Sequence, residues 1–151
     1  MDMSGEYRIA APREAVWQAL NDPEVLRVCI PGCEELTQAS ETEMTAVVVQ
    51  KIGPVKARFE GAVQLSNVIA PASYTISGEG KGGAAGFAKG GADVALDEVE
   101  DGTLLRYEVH AAVGGKLARL GSRLIDSTAK KLANQFFENF HNHVSAPAQD
   151  G

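Results

Sequence analysis

Between Val55 and Ser66 every second residue faces a different solvent. Val55, Ala57, Phe59, Gly61, Val63 and Leu65 alternate with Lys56, Arg58, Glu60, Gln64 and Ser66. Successive side chains of a strand point to opposite faces, so such alternation requires a sheet with one dry and one wet face. The same period holds from about residue 34 to 114. Thr45-Ala46-Val47-Val48-Val49 leads into a Gly53-Pro54 turn, Tyr74-Thr75-Ile76 and Asp93-Val94-Ala95-Leu96 begin further strands, and Glu100-Asp101-Gly102 turns into Leu105, Tyr107, Val109, Ala111 and Val113. A sheet that is apolar on one face has to be covered.

The cover is predicted at the end of the chain. Gly114-Gly115 breaks the last strand, and residues 116–143 contain no proline. At 100° per residue, Leu117, Leu120, Gly121, Leu124, Ile125, Thr128, Ala129 and Leu132 share one broad face of a helix over about 115–143. Before the sheet, Glu6–Ala10 alternates as a first strand. Pro12 opens one short helix, Asn21-Asp22-Pro23 stops it and starts a second, and Pro31-Gly32 ends that. The fold class predicted is α+β: a curved antiparallel sheet of six or seven strands gripping a long C-terminal helix. One domain over 1–144 is expected, with 145–151 as a flexible tail.

Composition narrows the function classes. The longest apolar run is Ala46–Val49, far short of the roughly 20 residues a membrane helix needs. The opening MDMSGEYRIA has no signal-like apolar stretch, so a cytoplasmic protein with reduced cysteines is expected. The net charge of −6 argues against non-specific nucleic-acid binding. Residues 1–114 carry nine Lys and Arg against 17 Asp and Glu, whereas residues 115–151 carry five against three. The C-terminal segment is therefore suited to a different contact from the rest.

No motif specifies catalysis. Gly78-Glu79-Gly80-Lys81-Gly82-Gly83 fits G-x-G-x-x-G, but the segment that follows is strand-like, whereas a dinucleotide site needs a helix N-terminus there. A hairpin, or a flap over a pocket mouth, is the expectation. Cys29 and Cys33 lack the further ligands of a zinc site and read as packed thiols, with redox sensing as the alternative. His110 is expected on a wet strand face, and His141 and His143 at the helix end. No carboxylate is spaced to complete a metal site with them. Ser122 and Ser127 have no base to activate them. Small residues on inner strand faces, Gly61, Gly78, Gly80, Ala88, Gly90, Ala92 and Ala111, leave room for a cavity. Trp17, Phe59, Tyr74, Tyr107, Gly121 and Phe136 are candidates for its lining, each of them also suited to plain core packing. Lys116, Arg119, Arg123 and Lys130 are expected as one basic stripe on the last helix, with Phe137 on the same side, facing a partner, an anionic membrane or water.

Several stretches carry a resemblance. They are PREAVW (12–17), LNDP (20–23), IPGCE (30–34), KIGPVKA (51–57), GEGKG (78–82), GGKLA (114–118) and LGSRLI (120–125). Over roughly residues 2–141 the chain resembles the carbon monoxide dehydrogenase G-subunit family of the helix-grip superfamily, with START and Bet v 1-like domains. The resemblance implies a non-enzymatic accessory protein of a molybdenum hydroxylase, recruiting it to the inner face of the cytoplasmic membrane while handling a lipid- or quinone-like molecule. No other cofactor is implied. Some members carry a C-terminal apolar anchor; this chain stops at Gly151 without one, so peripheral contact is expected. The alternative is a free-standing carrier of hydrophobic ligands, or a helix-grip enzyme acting on one.

Overall fold

The computed structural model describes residues 1–145. Seven strands form one antiparallel sheet in the order β1-β7-β6-β5-β4-β3-β2. They are β1 (Asp2–Ile9), β2 (Cys33–Gln38), β3 (Glu43–Ile52), β4 (Val55–Ile69), β5 (Ser73–Lys81), β6 (Phe87–Val99) and β7 (Gly102–Gly114). Helices α1 (Arg13–Leu20) and α2 (Pro23–Cys29) fill the gap between β1 and β2 in sequence, and α3 (Ser122–Ser145) follows the sheet. This is the architecture expected from the sequence pattern, and the helix-grip, Bet v 1-like fold that the resemblance implies. The alternation along β4 is reproduced: Ala57 and Leu65 are buried while Lys56, Arg58, Glu60, Gln64 and Ser66 are exposed.

Local chemistry sets the joints. Asp22 accepts a hydrogen bond from the Glu24 backbone N–H at 2.9 Å, capping α2, and Pro23 occupies its first turn. Asn139 of α3 donates to the Cys29 carbonyl at 3.0 Å, tying the end of α2 to the long helix. Thr103, fully buried, donates to the Ala11 carbonyl at 2.8 Å and so fixes the β1–α1 corner against β7.

The last element differs from the sequence expectation. Residues 115–143 are not one helix: Gly115–Leu120 form a short 3₁₀ segment, and α3 begins only at Ser122. Gly121 between them has φ +90°, a left-handed conformation that L side chains rarely adopt, so the two helical segments are separated by a bend. Ser145, assigned to the tail by sequence, closes α3; residues 146–151 lie outside the described residues.

The core gathers where α3 meets β1, β7 and the short helices. Phe140, Ile9, Leu105 and Val16 are fully buried there. Phe137 stacks on Tyr7 of β1 at 4.7 Å and on Tyr107 of β7 at 5.1 Å. The Tyr7 hydroxyl donates to Asn134 Oδ1 at 2.7 Å, so β1 is fastened to α3 by a polar as well as an aromatic contact. Truncating Phe140→Ala removes a fully buried ring from this junction and should cost about 3–5 kcal/mol. Urea denaturation of wild type and variant measures it.

The outer face of the β1–β7 pair carries one titrating contact. His110 Nδ1 lies 2.8 Å from Asp2 Oδ1, with both side chains exposed as the sequence predicts for His110. The hydrogen bond and charge of Asp2 raise the His110 pKa above its ordinary 6.5, with Glu108 and Asp93 adding to the effect. A raised folded-state pKa stabilises the fold below the unfolded value and is lost as pH rises through the folded one. Amide exchange in β1 should therefore quicken as pH rises through the His110 titration, after correction for intrinsic exchange. Asp2→Asn should lower the His110 pKa in an NMR titration and flatten that dependence.

Candidate functional site

The sheet and α3 touch firmly only along the C-terminal half of the helix, and two chambers open between them. The inner one, about 530 Å³, runs along the inner faces of β3 to β7. One end is walled by Leu20, Leu65, Tyr74, Leu105, Phe136 and Phe137, all but Phe136 belonging to the buried core. Gly61, Gly78, Gly80, Ala88, Gly90 and Ala92 form much of its floor. The outer chamber, about 570 Å³, lies under the 3₁₀ segment and the first turns of α3, between Ile52, Leu117, Ile125, Ala129 and Leu132. Val48, Phe59, Gly80, Ala88 and Ala111 border both, so the chambers meet at the Phe59 ring. Each volume falls within the range of small-molecule sites.

Glycine makes this space in two ways. A Cβ on Gly80 would meet only Phe59, at 3.7 Å, so the missing side chain leaves open volume. A Cβ on Gly90 would sit 2.1 Å from the His110 carbonyl oxygen, so there the absence lets β6 and β7 approach. Similar close approaches occur at two turns near the outer chamber. The β5–β6 tip packs Gly86 against Gly114 and Gly115, and the β3–β4 turn at Gly53 lies beside Leu124 of α3.

The chambers collect Phe59, Gly61, Tyr74, Gly78, Gly80, Ala92, Gly121 and Phe136 from the sequence candidates. Two others stand apart. Trp17 lines neither chamber; it packs edge-on behind Tyr74 at 5.4 Å. Tyr107 borders instead a side pocket of about 320 Å³ beside Phe136 and Phe137. Sequence reasoning leaves Val48, Gln50 and Ile52 of β3 unassigned; their only signal is strand alternation. Among the described residues no group of three or more His, Cys, Asp or Glu is placed to hold a metal ion. Burial pushes the Cys29 and Cys33 thiols up, which favours the unreactive protonated form at neutral pH. The glycine-rich G-x-G-x-x-G leads through a 3₁₀ turn, Gly83–Ala85, into β6, and so forms a hairpin tip without a phosphate-binding helix.

The basic stripe is corrected. Lys116 and Arg119 belong to the 3₁₀ segment, on the far side of Gly121 from Arg123 and Lys130, so helical periodicity does not connect the four. All four are exposed. Phe137 is not part of that surface. It follows Arg123 and Lys130 at intervals of seven residues, but β1 wraps over this end of α3, and the ring is 9% exposed between Tyr7 and Tyr107.

With this geometry, the comparisons have a physical counterpart. The family model for the G subunit of carbon monoxide dehydrogenase (CoxG) matches residues 5–145, nearly the whole chain. The chain belongs to the CoxG family. No curated protein matches its sequence. Among solved structures, a conserved protein from Geobacillus kaustophilus is 29% identical, with 97% of this chain and 96% of that one covered at a TM-score of 0.90. A Thermus thermophilus protein is 15% identical over 97% and 99% of the two chains, TM-score 0.72. Ara h 8.0201 is 12% identical over 97% and 98%, TM-score 0.67. The last two share the fold alone. Each alignment covers 97% of this CoxG member.

The two glycine roles are separable by substitution. Gly80→Ala should leave the melting temperature unchanged or raise it slightly, because its Cβ has room and the unfolded chain loses freedom. Gly90→Ala should lower it by several degrees, because its Cβ would meet backbone. Thermal melts followed by circular dichroism distinguish them.

Proposed function

We propose that this chain is a non-enzymatic accessory protein of a carbon monoxide dehydrogenase-type molybdenum hydroxylase. It takes up an apolar molecule, lipid- or quinone-like, in the two chambers and helps bring the enzyme to the cytoplasmic membrane. The observation that carries this reading is the pair of apolar chambers held open by small residues, in a chain of the CoxG family. A chamber lined almost wholly by hydrocarbon gains from exchanging water for an apolar guest.

The exposed cations supply the docking half of the reading. Arg13, Arg27, Arg58, Lys81 and Arg106 each sit within 4.0 Å of a carboxylate. Lys116, Arg119, Arg123 and Lys130 have no ion pair among the described residues, as is true of Arg8, Lys51, Lys56, Lys89 and Lys131; the four are set apart by their place on the 3₁₀ segment and α3. They flank the outer chamber and are available to an acidic surface on the enzyme or to anionic headgroups. Each basic residue near such a membrane is worth about 1 kcal/mol, which gives reversible, salt-sensitive attachment. Among the described residues no helix is long and apolar enough to cross a membrane, so attachment through them would be peripheral.

Two measurements test the proposal. Native mass spectrometry of protein purified from its own host should reveal a bound apolar molecule. A pull-down from the same cells should recover hydroxylase subunits, with less recovered by the Arg119→Glu, Arg123→Glu variant. A bound ligand without the enzyme favours the free-standing carrier; neither one defeats both readings.

A further inference from the structure

The two margins of the sheet are not equally protected. β2 is six residues long and its register with β3 slips between Cys33 and Glu35; a short, irregular strand is a poor template for further pairing. β1 pairs with β7 in unbroken register over eight residues and contains neither proline nor lysine. Met1 and Ala111 exchange both backbone hydrogen bonds, at 2.7 and 2.8 Å. Bonded and non-bonded pairs alternate along an antiparallel ladder, so Met3, Gly5, Tyr7 and Ile9 bond to β7, while the N–H and C=O groups of Asp2, Ser4, Glu6 and Arg8 point away from it. Among the described residues no hydrogen bond reaches this outward row. α3 meets β1 through side chains on the dry face, Asn134 and Phe137 on Tyr7, and leaves the row open.

The side chains along the row select what can pair with it. We infer that β1 pairs antiparallel with β1 of a second copy of this chain, setting Asp2 opposite Arg8 and Ser4 opposite Glu6 in a two-fold dimer. Every outward N–H and C=O of the row then finds a complement. Arg8, which has no ion pair among the described residues, gains Asp2 of the other copy, while His110 stays on the other side of Asp2. Met3 and Tyr7 meet across the dry face. The axis passes between the two Gly5 residues, a non-bonded pair whose Cα atoms would lie about 4.5 Å apart, and glycine puts no side chain into that gap. Other registers fail. A slip of two residues one way sets Glu6 against Asp2, and the other way sets Glu6 against Glu6. A slip of one residue matches outward groups with inward ones. A contact through one strand pair belongs with the interfaces below about 1,200 Å², so monomer and dimer should interconvert with concentration. Met1 lines the outer chamber, so the two outer chambers would lie toward opposite ends of the shared strand pair. The inference stands whether or not the chambers hold a guest.

Sedimentation velocity of the full chain at rising concentration should show a monomer–dimer equilibrium. Ser4→Pro removes an outward N–H without costing a bond to β7, and it should stay monomeric over the same range with a thermal melt near that of wild type. Arg8→Asp brings like charges together at two symmetric positions and should weaken the dimer at least about threefold, whereas Asp2→Arg, Arg8→Asp in one chain should restore most of the loss. In amide exchange followed by NMR, Ser4, Glu6 and Arg8 should gain protection on concentration, and Met3, Gly5 and Tyr7 should be slow throughout. If Ser4→Pro does not fold, the charge exchange and the amide pattern decide. A monomer at every concentration, a dimer that survives Ser4→Pro, a double variant no tighter than Arg8→Asp, or protection gained elsewhere and not on β1 overturns the inference.

Discussion

The stack of Tyr7, Phe137 and Tyr107 is the contact on which the architecture depends. β1 is an edge strand, and an edge strand paired on one side only is the part of a sheet most readily lost. Stacking its Tyr7 on Phe137, and bonding that tyrosine to Asn134, makes β1 the wall of the grip rather than a loose margin. Phe136 and Phe140 continue the aromatic contact on the adjoining face of α3, 5.8 Å apart and stacked. The helix is thus anchored through its C-terminal half. Its N-terminal half is free of that constraint, and the strands facing it put Gly80, Ala88, Ala111 and Ala112 among the larger residues of the lining. The chambers are the volume left where a helix is anchored mainly at one end and many of the facing strand positions are small.

Such volume is unfavourable in an empty protein. Cavity-lining atoms lose dispersion contacts that a filled core would supply, and apolar walls order or exclude water at a cost. Anything that binds the folded state and fills the space stabilises it by mass action. The glycines at Gly80 and Gly90 show that the space is built into the strands: one leaves room beside Phe59, the other lets strands approach more closely than any side chain permits. A sheet bent in this way has a concave inner face, which α3 spans without filling.

Much of this is legible in the sequence. Alternation locates the strands and their dry face, because residue period and sheet geometry are locked together. The small residues among those dry positions point to a cavity, and most of the aromatic and glycine candidates do meet there. What periodicity cannot supply is the environment along a helix. Arg123, Lys130 and Phe137 occupy one face by spacing, yet two are in water and one is in the core, since β1 covers only part of that face. Gly121 is equally hidden: read at 100° per residue it continues the helix, whereas its left-handed φ ends one segment and starts another. Trp17 stands behind the lining instead of in it, because an apolar helix face does not reveal which side chain reaches the space.

Tyr74 is a buried phenol in the wall of the inner chamber. In a wall of Leu and Phe, a phenylalanine would present the same ring without the oxygen. Burial pushes the Tyr74 phenol well above the usual tyrosine range, which keeps it neutral at physiological pH. A neutral phenol packed edge-on by Trp17 adds no charge to this apolar wall. Lys116, Arg119, Arg123 and Lys130 are exposed on the 3₁₀ segment and α3, where water screens them. Charge therefore gathers on the exposed surface, while the chamber walls at the Tyr74 end stay apolar.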